Sequence, residues 1–444
     1  MILWTSAEVE QALDVFGLPA FQASGVSIDS RTLQKGDIFI ALTGQTDGHA
    51  YVQAASDKGA VAAIVSKANP ACKLPQVLVP DTQKALEQLG QFARKRAVHL
   101  AAIAVTGSSG KTSTKEMLAT TLKAHKSVAS YNNHFGVPLT LARTPADAQY
   151  GIYEVGMNHA GEIAPLSKQI QPYVAVITNV GTAHLGNLGS LENILSEKLS
   201  IEDGLVKGGY LVVPHDLITA GVREDITVKR FGGVKGDARV TEVLPQGDGW
   251  KVWAHVEGHD VVFDVHHPGV HQVTNALAAL LAASLAGADV AESAMRLSRA
   301  EAVVGRGNVH HLPGGVTLID DSYNANPHSM RAALETLIRR PANRRIAVLG
   351  DMLELGEHSI AYHRALADAC MGVDTVITVG THSKALQDAL PDSQKGGHFN
   401  KQEDVRLSLQ GGDTLLVKGS NGIGLSKLVA RLTQLQNGTH KHAV

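Results

Sequence analysis

The sequence predicts an α/β protein of three domains: a smaller α/β domain over residues 1–97, a central parallel-sheet domain over 98–310 and an open-sheet domain over 311–444. Three observations carry that reading. At 444 residues the chain is longer than one typical core accommodates. Short, fully apolar runs alternate with helical patterns, as in a parallel sheet covered on both faces. The stretch AVTGSSGKTSTKEML, Ala104 to Leu118, joins a strand, a small-residue loop and a helix in the order that a bound phosphate requires.

In the first domain, runs at 37–42 and 62–65 read as strands, and Arg94-Lys95-Arg96 reads as a charged linker to the next strand. The central domain has apolar runs at 101–105, 151–155 and 174–178, each ending in a polar loop, where ligands gather in such sheets. Residues 228–265 alternate, most clearly around Lys251 to Val256, and read as an antiparallel addition, after which 271–286 is helical again. The last domain repeats strand and helix from 316–319, 345–349, 375–379 and 414–417.

Composition narrows the function classes. Lys and Arg number 40 against 42 Asp and Glu, a formal charge of −2, which removes the electrostatic argument for a nucleic-acid partner. Two cysteines far apart, Cys72 and Cys370, argue for a reducing compartment and against a disulfide framework. The start, Met1 to Glu8, lacks a basic region followed by an apolar stretch, and the most apolar run, 276–286, falls far short of the ~20 residues of a spanning helix. The expectation is a cytoplasmic enzyme without membrane insertion.

The phosphate loop is Gly107-Ser108-Ser109-Gly110, opening a helix at Lys111. Lys111 would reach a terminal phosphate and Thr112 would offer its hydroxyl to magnesium. The common pattern has a glycine where this chain has Val105, which marks an unusual branch of P-loop protein; the plain alternative is an ordinary strand-to-helix turn with a solvated lysine. Glu154 and His184 end neighbouring strands and could ligate a divalent ion, but spacing leaves Glu154 open between metal ligand, helix cap and surface salt-bridge partner, and favours a structural histidine at 184. Lys198, within a helical stretch, reads as a solvated charge. In Asp320-Asp321-Ser322-Tyr323-Asn324-Ala325-Asn326-Pro327, helix capping explains Asn326 and Pro327 but not the acids.

Thr106 to Thr112, with Tyr131-Asn132-Asn133-His134-Phe135-Gly136-Val137-Pro138, Glu154 to Ile163, His184, Asn275, Gly305-Arg306 and Asp321 to Pro327, resembles the ATP-dependent Mur ligases of bacterial peptidoglycan synthesis. The match runs in order over nearly the whole chain. Gly156 to Ile163, Gly350-Asp351-Met352-Leu353-Glu354-Leu355-Gly356 and Val417-Lys418-Gly419-Ser420 resemble the branch that joins UDP-N-acetylmuramoyl-tripeptide to D-alanyl-D-alanine. The resemblance implies a UDP-substrate-binding first domain, a central P-loop ATPase domain and a Rossmann-like last domain for the incoming dipeptide, working as a monomer with ATP and Mg2+.

It also implies roles residue by residue. Gly107, Ser108, Ser109, Gly110, Lys111 and Thr112 would hold the ATP phosphates, Asn275 the adenine, and Arg306 and Asp321 the ribose and phosphate region. Thr112 and Glu154 would take one magnesium; His184 and a carbamylated Lys198 a second, so that Lys111, His184 and Lys198 form the catalytic set. Ser30, Arg31, Asn133, Asn158 and His159 would contact the UDP-tripeptide, and Asn324 and Asn326 the dipeptide. The chain departs from the family pattern at Asn421, where a basic residue is common, and at Val304, where a proline is. On the residues alone, a folylpolyglutamate synthetase and a regulatory P-loop NTPase stay open; a Mur ligase adding the diamino acid would carry an Asp-Asn-Pro-Arg motif, and none is present.

Overall fold

The computed structural model describes residues 2–434 apart from Gln45 and Ala183. Its centre is a nine-stranded sheet. The phosphate-loop strand Ala101–Thr106 lies between Tyr150–Glu154 and Val174–Ile177, parallel to both, so three polar strand ends emerge side by side. Along this strand Ile103 and Val105 enter one apolar cluster while Ala102 and Ala104 enter the other, the two-residue alternation of a sheet covered on both faces. The helix Lys111–Leu122 packs on the first face against His271–Leu285, whose alanines let the two helices approach closely. The apolar run at 276–286 is thus core, and among the described residues no helix is long and apolar enough to cross a membrane.

Tyr210–Pro214 and Thr227–Phe231 extend the sheet in parallel, and Ala238–Gln246, Gly249–Val256 and His259–Val265 close it as antiparallel hairpins. The antiparallel addition expected over 228–265 therefore begins only at Ala238. The first 96 residues carry a parallel sheet of Gly25–Ser27, Asp37–Ile40, Ala62–Val65 and Gln76–Leu78.

Arg94-Lys95-Arg96 is no linker. All three lie in the helix Thr82–Arg96. The Arg96 guanidinium lies 4.2 Å over the ring of the fully buried Trp4 and pairs with Glu8 at 3.0 Å, and Arg94 Nε donates to the Ile170 carbonyl at 2.7 Å. Leu139 and Ala142 of the central segment belong to the first segment's apolar cluster, so the two share one core.

The last sheet runs Asn308–Leu312, Val316–Asp321, Thr414–Lys418, Arg345–Gly350, Thr375–Val379 and Lys395–Phe399, antiparallel at the first strand and parallel beyond it. Its first strand starts ahead of the boundary expected at 310/311, and we place that boundary at the turn before Asn308. Register sets Asp321 opposite Lys418 at the carboxyl edge.

Candidate active site

A cleft of about 610 Å³ lies where the carboxyl edges of the central and last sheets face each other. Its floor is the phosphate loop. Gly110 sits at φ +79° against Asn275, and a Cβ on Gly107 would fall 1.9 Å from the Thr178 hydroxyl; both positions need glycine. Asn179 accepts from the Ser108 N–H at 3.1 Å through its carbonyl and from the Ser109 N–H at 2.9 Å through its side chain. The helix beginning at Lys111 has no side-chain cap, so its first amides and its dipole are left to an anion. Lys111 turns back and donates to the Gly107 carbonyl at 2.6 Å, with its pKa lowered by burial.

Glu154, 1% exposed, accepts from the Thr112 hydroxyl at 2.9 Å and from Asn132 Nδ2 at 2.9 Å. The fully buried Lys115 stands 3.7 Å from the same carboxylate and donates to the carbonyls of Ser127 and Ala129. Neither the cap nor the surface-pair reading of Glu154 describes this burial. The donor set of Thr112 and Glu154 is hard oxygen, which suits magnesium. Among the described residues no three His, Cys, Asp or Glu side chains gather into a metal site, so an ion would need phosphate oxygens to complete its shell.

Lys198 corrects the residue-level reading. It is 1% exposed, and its pKa is driven well below the lysine norm by burial, with Lys111 nearby adding to the shift. As an ammonium it could not hold a cation; as a carbamate it could. Its neighbour Glu197 accepts from the N–H groups of Gly161 and Ile163 at 2.7 and 2.8 Å and so fixes the loop after Glu154. His184, at φ +63°, brings Nδ1 to 3.0 Å from the carboxylate of Glu354, on the loop after Arg345–Gly350, off the line of a hydrogen bond.

Asp321 accepts from the buried Lys418 at 2.7 Å. The Arg306 guanidinium lies 4.4 Å over Tyr323, whose hydroxyl reaches Ser130 at 3.2 Å; Ser130 in turn stands 3.3 Å from Thr112. His271 also lines the cleft, pushed down to about 3 by burial, and stays neutral.

The cleft thus brings together Ser108, Ser109, Gly110, Lys111, Thr112, Asn133, Glu154, Asn158, His184, Asn275, Arg306, Asp321, Asn324 and Asn326. Gly107 and Lys198 stand behind its wall. Asn275 is turned toward Gly110 and donates to Gln272 at 2.8 Å, at the phosphate loop. Asn326 caps the helix Pro327–Arg339 through Ser329, as its place before Pro327 indicates. His159 is exposed outside the cleft, and Ser30 and the exposed Arg31, paired with Asp29 at 2.7 Å, lie on the first segment. Lys115, Ser130, Asn179, Tyr323 and Lys418 were not singled out by sequence. Tyr323 and Lys418 lie inside the stretches that resemble the family, and Lys115 follows Lys111 by one helical turn, the one signal available for it.

Residues 22–96 match the Mur ligase family catalytic domain, 105–283 the Mur ligase middle domain and 305–421 the Mur ligase glutamate ligase domain. The UDP-N-acetylmuramoyl-tripeptide--D-alanyl-D-alanine ligase of Escherichia coli (strain K12) is 35% identical over 433 residues, covering 93% of this chain and 94% of the relative. The chain belongs to the Mur ligase family. Among solved Mur ligase structures, MurF from Acinetobacter baumannii superposes with a TM-score of 0.86 at 32% identity, covering 97% of this chain and 99% of that one. MurF from Thermotoga maritima, in complex with ADP, gives 0.79 at 25% identity over 93% and 98%.

Proposed function

We propose that this Mur ligase joins D-alanyl-D-alanine to UDP-N-acetylmuramoyl-tripeptide with conversion of ATP to ADP and phosphate, the last cytoplasmic step in making the peptidoglycan precursor pentapeptide, and that it acts as a monomer. The observation that carries the reading is one cleft lined jointly by an uncapped phosphate-loop helix and by the carboxyl edge of the last sheet. A nucleotide switch needs only the first; a ligase needs a second wall for an acceptor.

A carboxylate is a poor acylating agent. In the first step an oxygen of the tripeptide's terminal carboxylate attacks the γ-phosphorus, the bond to the bridging oxygen breaks, and ADP leaves an acyl phosphate. Lys111 exchanges the Gly107 carbonyl for a phosphate oxygen, and the amides at the start of the Lys111–Leu122 helix hold the phosphate chain. Magnesium bound at Thr112 and Glu154, with a second ion toward His184 and a carbamylated Lys198, would stabilise charge on the transferring phosphoryl group. The dipeptide nitrogen then attacks the acyl carbon, the carbon–oxygen bond to phosphate breaks, and inorganic phosphate departs. The incoming ammonium loses two protons to water, one before attack and one as the adduct collapses. Arg306 and Asp321 border the cleft from the junction and the last sheet, where they serve the nucleotide; Asn324 serves the dipeptide, and Ser30, Arg31, Asn133, Asn158 and His159 the UDP-tripeptide.

The test is phosphate release from magnesium-ATP with UDP-N-acetylmuramoyl-tripeptide, with and without D-alanyl-D-alanine. Turnover that needs the dipeptide and yields the pentapeptide supports the ligase. Turnover indifferent to it supports a switch.

A further inference from the structure

Glu154, Glu162, Asp216, Asp321 and Glu354 are the acidic side chains lining the cleft. Glu154 is committed to Thr112, Asn132 and Lys115, Glu162 accepts from the Asn158 N–H at 2.7 Å, and Asp321 is neutralised by Lys418. Asp216 lies beside His215, on the loop after Tyr210–Pro214. Glu354 differs from all of them. It comes from the loop after Arg345–Gly350, stands beside His184 in the cleft, and among the described residues, unlike Glu154, Glu162 and Asp321, accepts no hydrogen bond within the central or last sheet, its side chain keeping 58% of its surface exposed.

Its position is built. Glu354 holds φ +65°, in the left-handed region that a non-glycine residue occupies at a cost, within a loop pressed against the central segment. A Cβ on Gly186 would stand 3.0 Å from the Gly356 nitrogen and 3.3 Å from the Glu354 carbonyl. The carboxylate stands 3.0 Å from His184 Nδ1 and lines the same cleft as Lys111. Glu354 therefore sits at the phosphoryl-transfer end of the cleft, on the wall that the last sheet supplies.

We propose that Glu354 binds the ammonium group of the incoming dipeptide and aims its nitrogen at the acyl carbon. The assignment rests on the ligase reading above. The acyl carbon forms at the γ-phosphate, beside Lys111, and the nucleophile has to come within about 3–3.5 Å of it from the side not occupied by the nucleotide. A carboxylate there recognises a primary ammonium, holds it against water and selects it over an uncharged end.

Hydroxylamine separates this role from phosphoryl transfer, because it traps an acyl phosphate as a hydroxamate and is uncharged at neutral pH. In Glu354→Gln, the KM for D-alanyl-D-alanine should rise by at least about tenfold, since a charge-assisted contact becomes a neutral one. The KM for ATP and the hydroxamate formed from UDP-N-acetylmuramoyl-tripeptide should stay within about twofold of the parent. Glu354→Asp, which keeps the charge but shortens the reach, should fall between. An unchanged dipeptide KM in Glu354→Gln overturns the assignment, as does a fall in hydroxamate matching the fall in dipeptide turnover, which would put Glu354 in the phosphoryl step. A parent enzyme that forms neither hydroxamate nor pentapeptide defeats the ligase reading and this assignment with it.

Discussion

Lys111 donates to the Gly107 carbonyl, and its burial makes the ammonium costly without an anion. On the proposed role, Lys111→Ala would remove a cation from the phosphoryl group, and it takes no side chain out of an apolar cluster. It should lower kcat by at least about 10³-fold while the melting temperature moves little; steady-state kinetics and a thermal melt check both halves. Lys198 makes the opposite prediction for stability. Its pKa is lower in the folded chain than in the unfolded one, so the unfolded chain binds more protons and stability rises with pH. The penalty is full at pH values below the folded pKa and disappears as pH approaches the ordinary lysine range. Lys198→Met should therefore raise the melting temperature in carbonate-free buffer, most at about pH 6 and progressively less toward about pH 10. A gain independent of pH would mean that the side chain's packing, and not its charge, sets the effect. The same variant should lose ligation, since methionine cannot become a carbamate.

At the scale of elements, the helix Thr82–Arg96 shows what a sequence pattern conveys and what it hides. Its three terminal charges look like a break because a run of cations is usually solvated. Here Lys95 is exposed, but the guanidinium groups of Arg94 and Arg96 find a ring, a carboxylate and the carbonyls at a helix end. Arg96→Ala should cost about 2 kcal/mol, chiefly through the lost cation–π contact with Trp4, the Glu8 carboxylate keeping its bonds from Thr5; urea unfolding should show a lower midpoint at an unchanged slope. The parallel strands were legible because each is an unbroken apolar run of strand length, and the phosphate loop because a strand, four small residues and a helix leave little else for the backbone to do. Glu154 and Lys198 were not, since nothing in their spacing reveals burial; only the resemblance named their part. Lys115, Ser130 and Tyr323 act across long chain separations, through contacts that a local pattern does not encode.

At the scale of the whole molecule, the two junctions between segments differ in kind. The first segment joins the central one through a shared apolar cluster, a bond from Trp4 Nε1 to the Ala142 carbonyl at 2.8 Å, and one from Arg143 Nε to the Val26 carbonyl at 2.6 Å. The apolar clusters of the last sheet draw only on residues from Leu312 onward, and the contacts across the cleft are polar: His184 with Glu354, Tyr323 with Ser130, and Asp248 with Arg340 and His311. Partly exposed ion pairs contribute about 1 kcal/mol or less each, while a shared core contributes about 25 cal/mol per Å² of apolar surface it buries. The first segment should therefore stay fixed, and the last should open and close against the other two. Ligands that touch both walls add binding energy only to the closed arrangement, so they shift the population toward it. In solution scattering, the ligand-free protein should be the more expanded, and a nonhydrolysable ATP analogue with magnesium and UDP-N-acetylmuramoyl-tripeptide should lower its radius of gyration. Asp248→Ala, which removes the contact of the hairpin turn with Arg340 and His311, should widen the ligand-free state further and leave the liganded one nearly unchanged. Equal radii with and without ligands in both proteins would mean that the polar contacts already lock the cleft, and that the acyl phosphate is shielded from water by a fixed wall instead of a moving one.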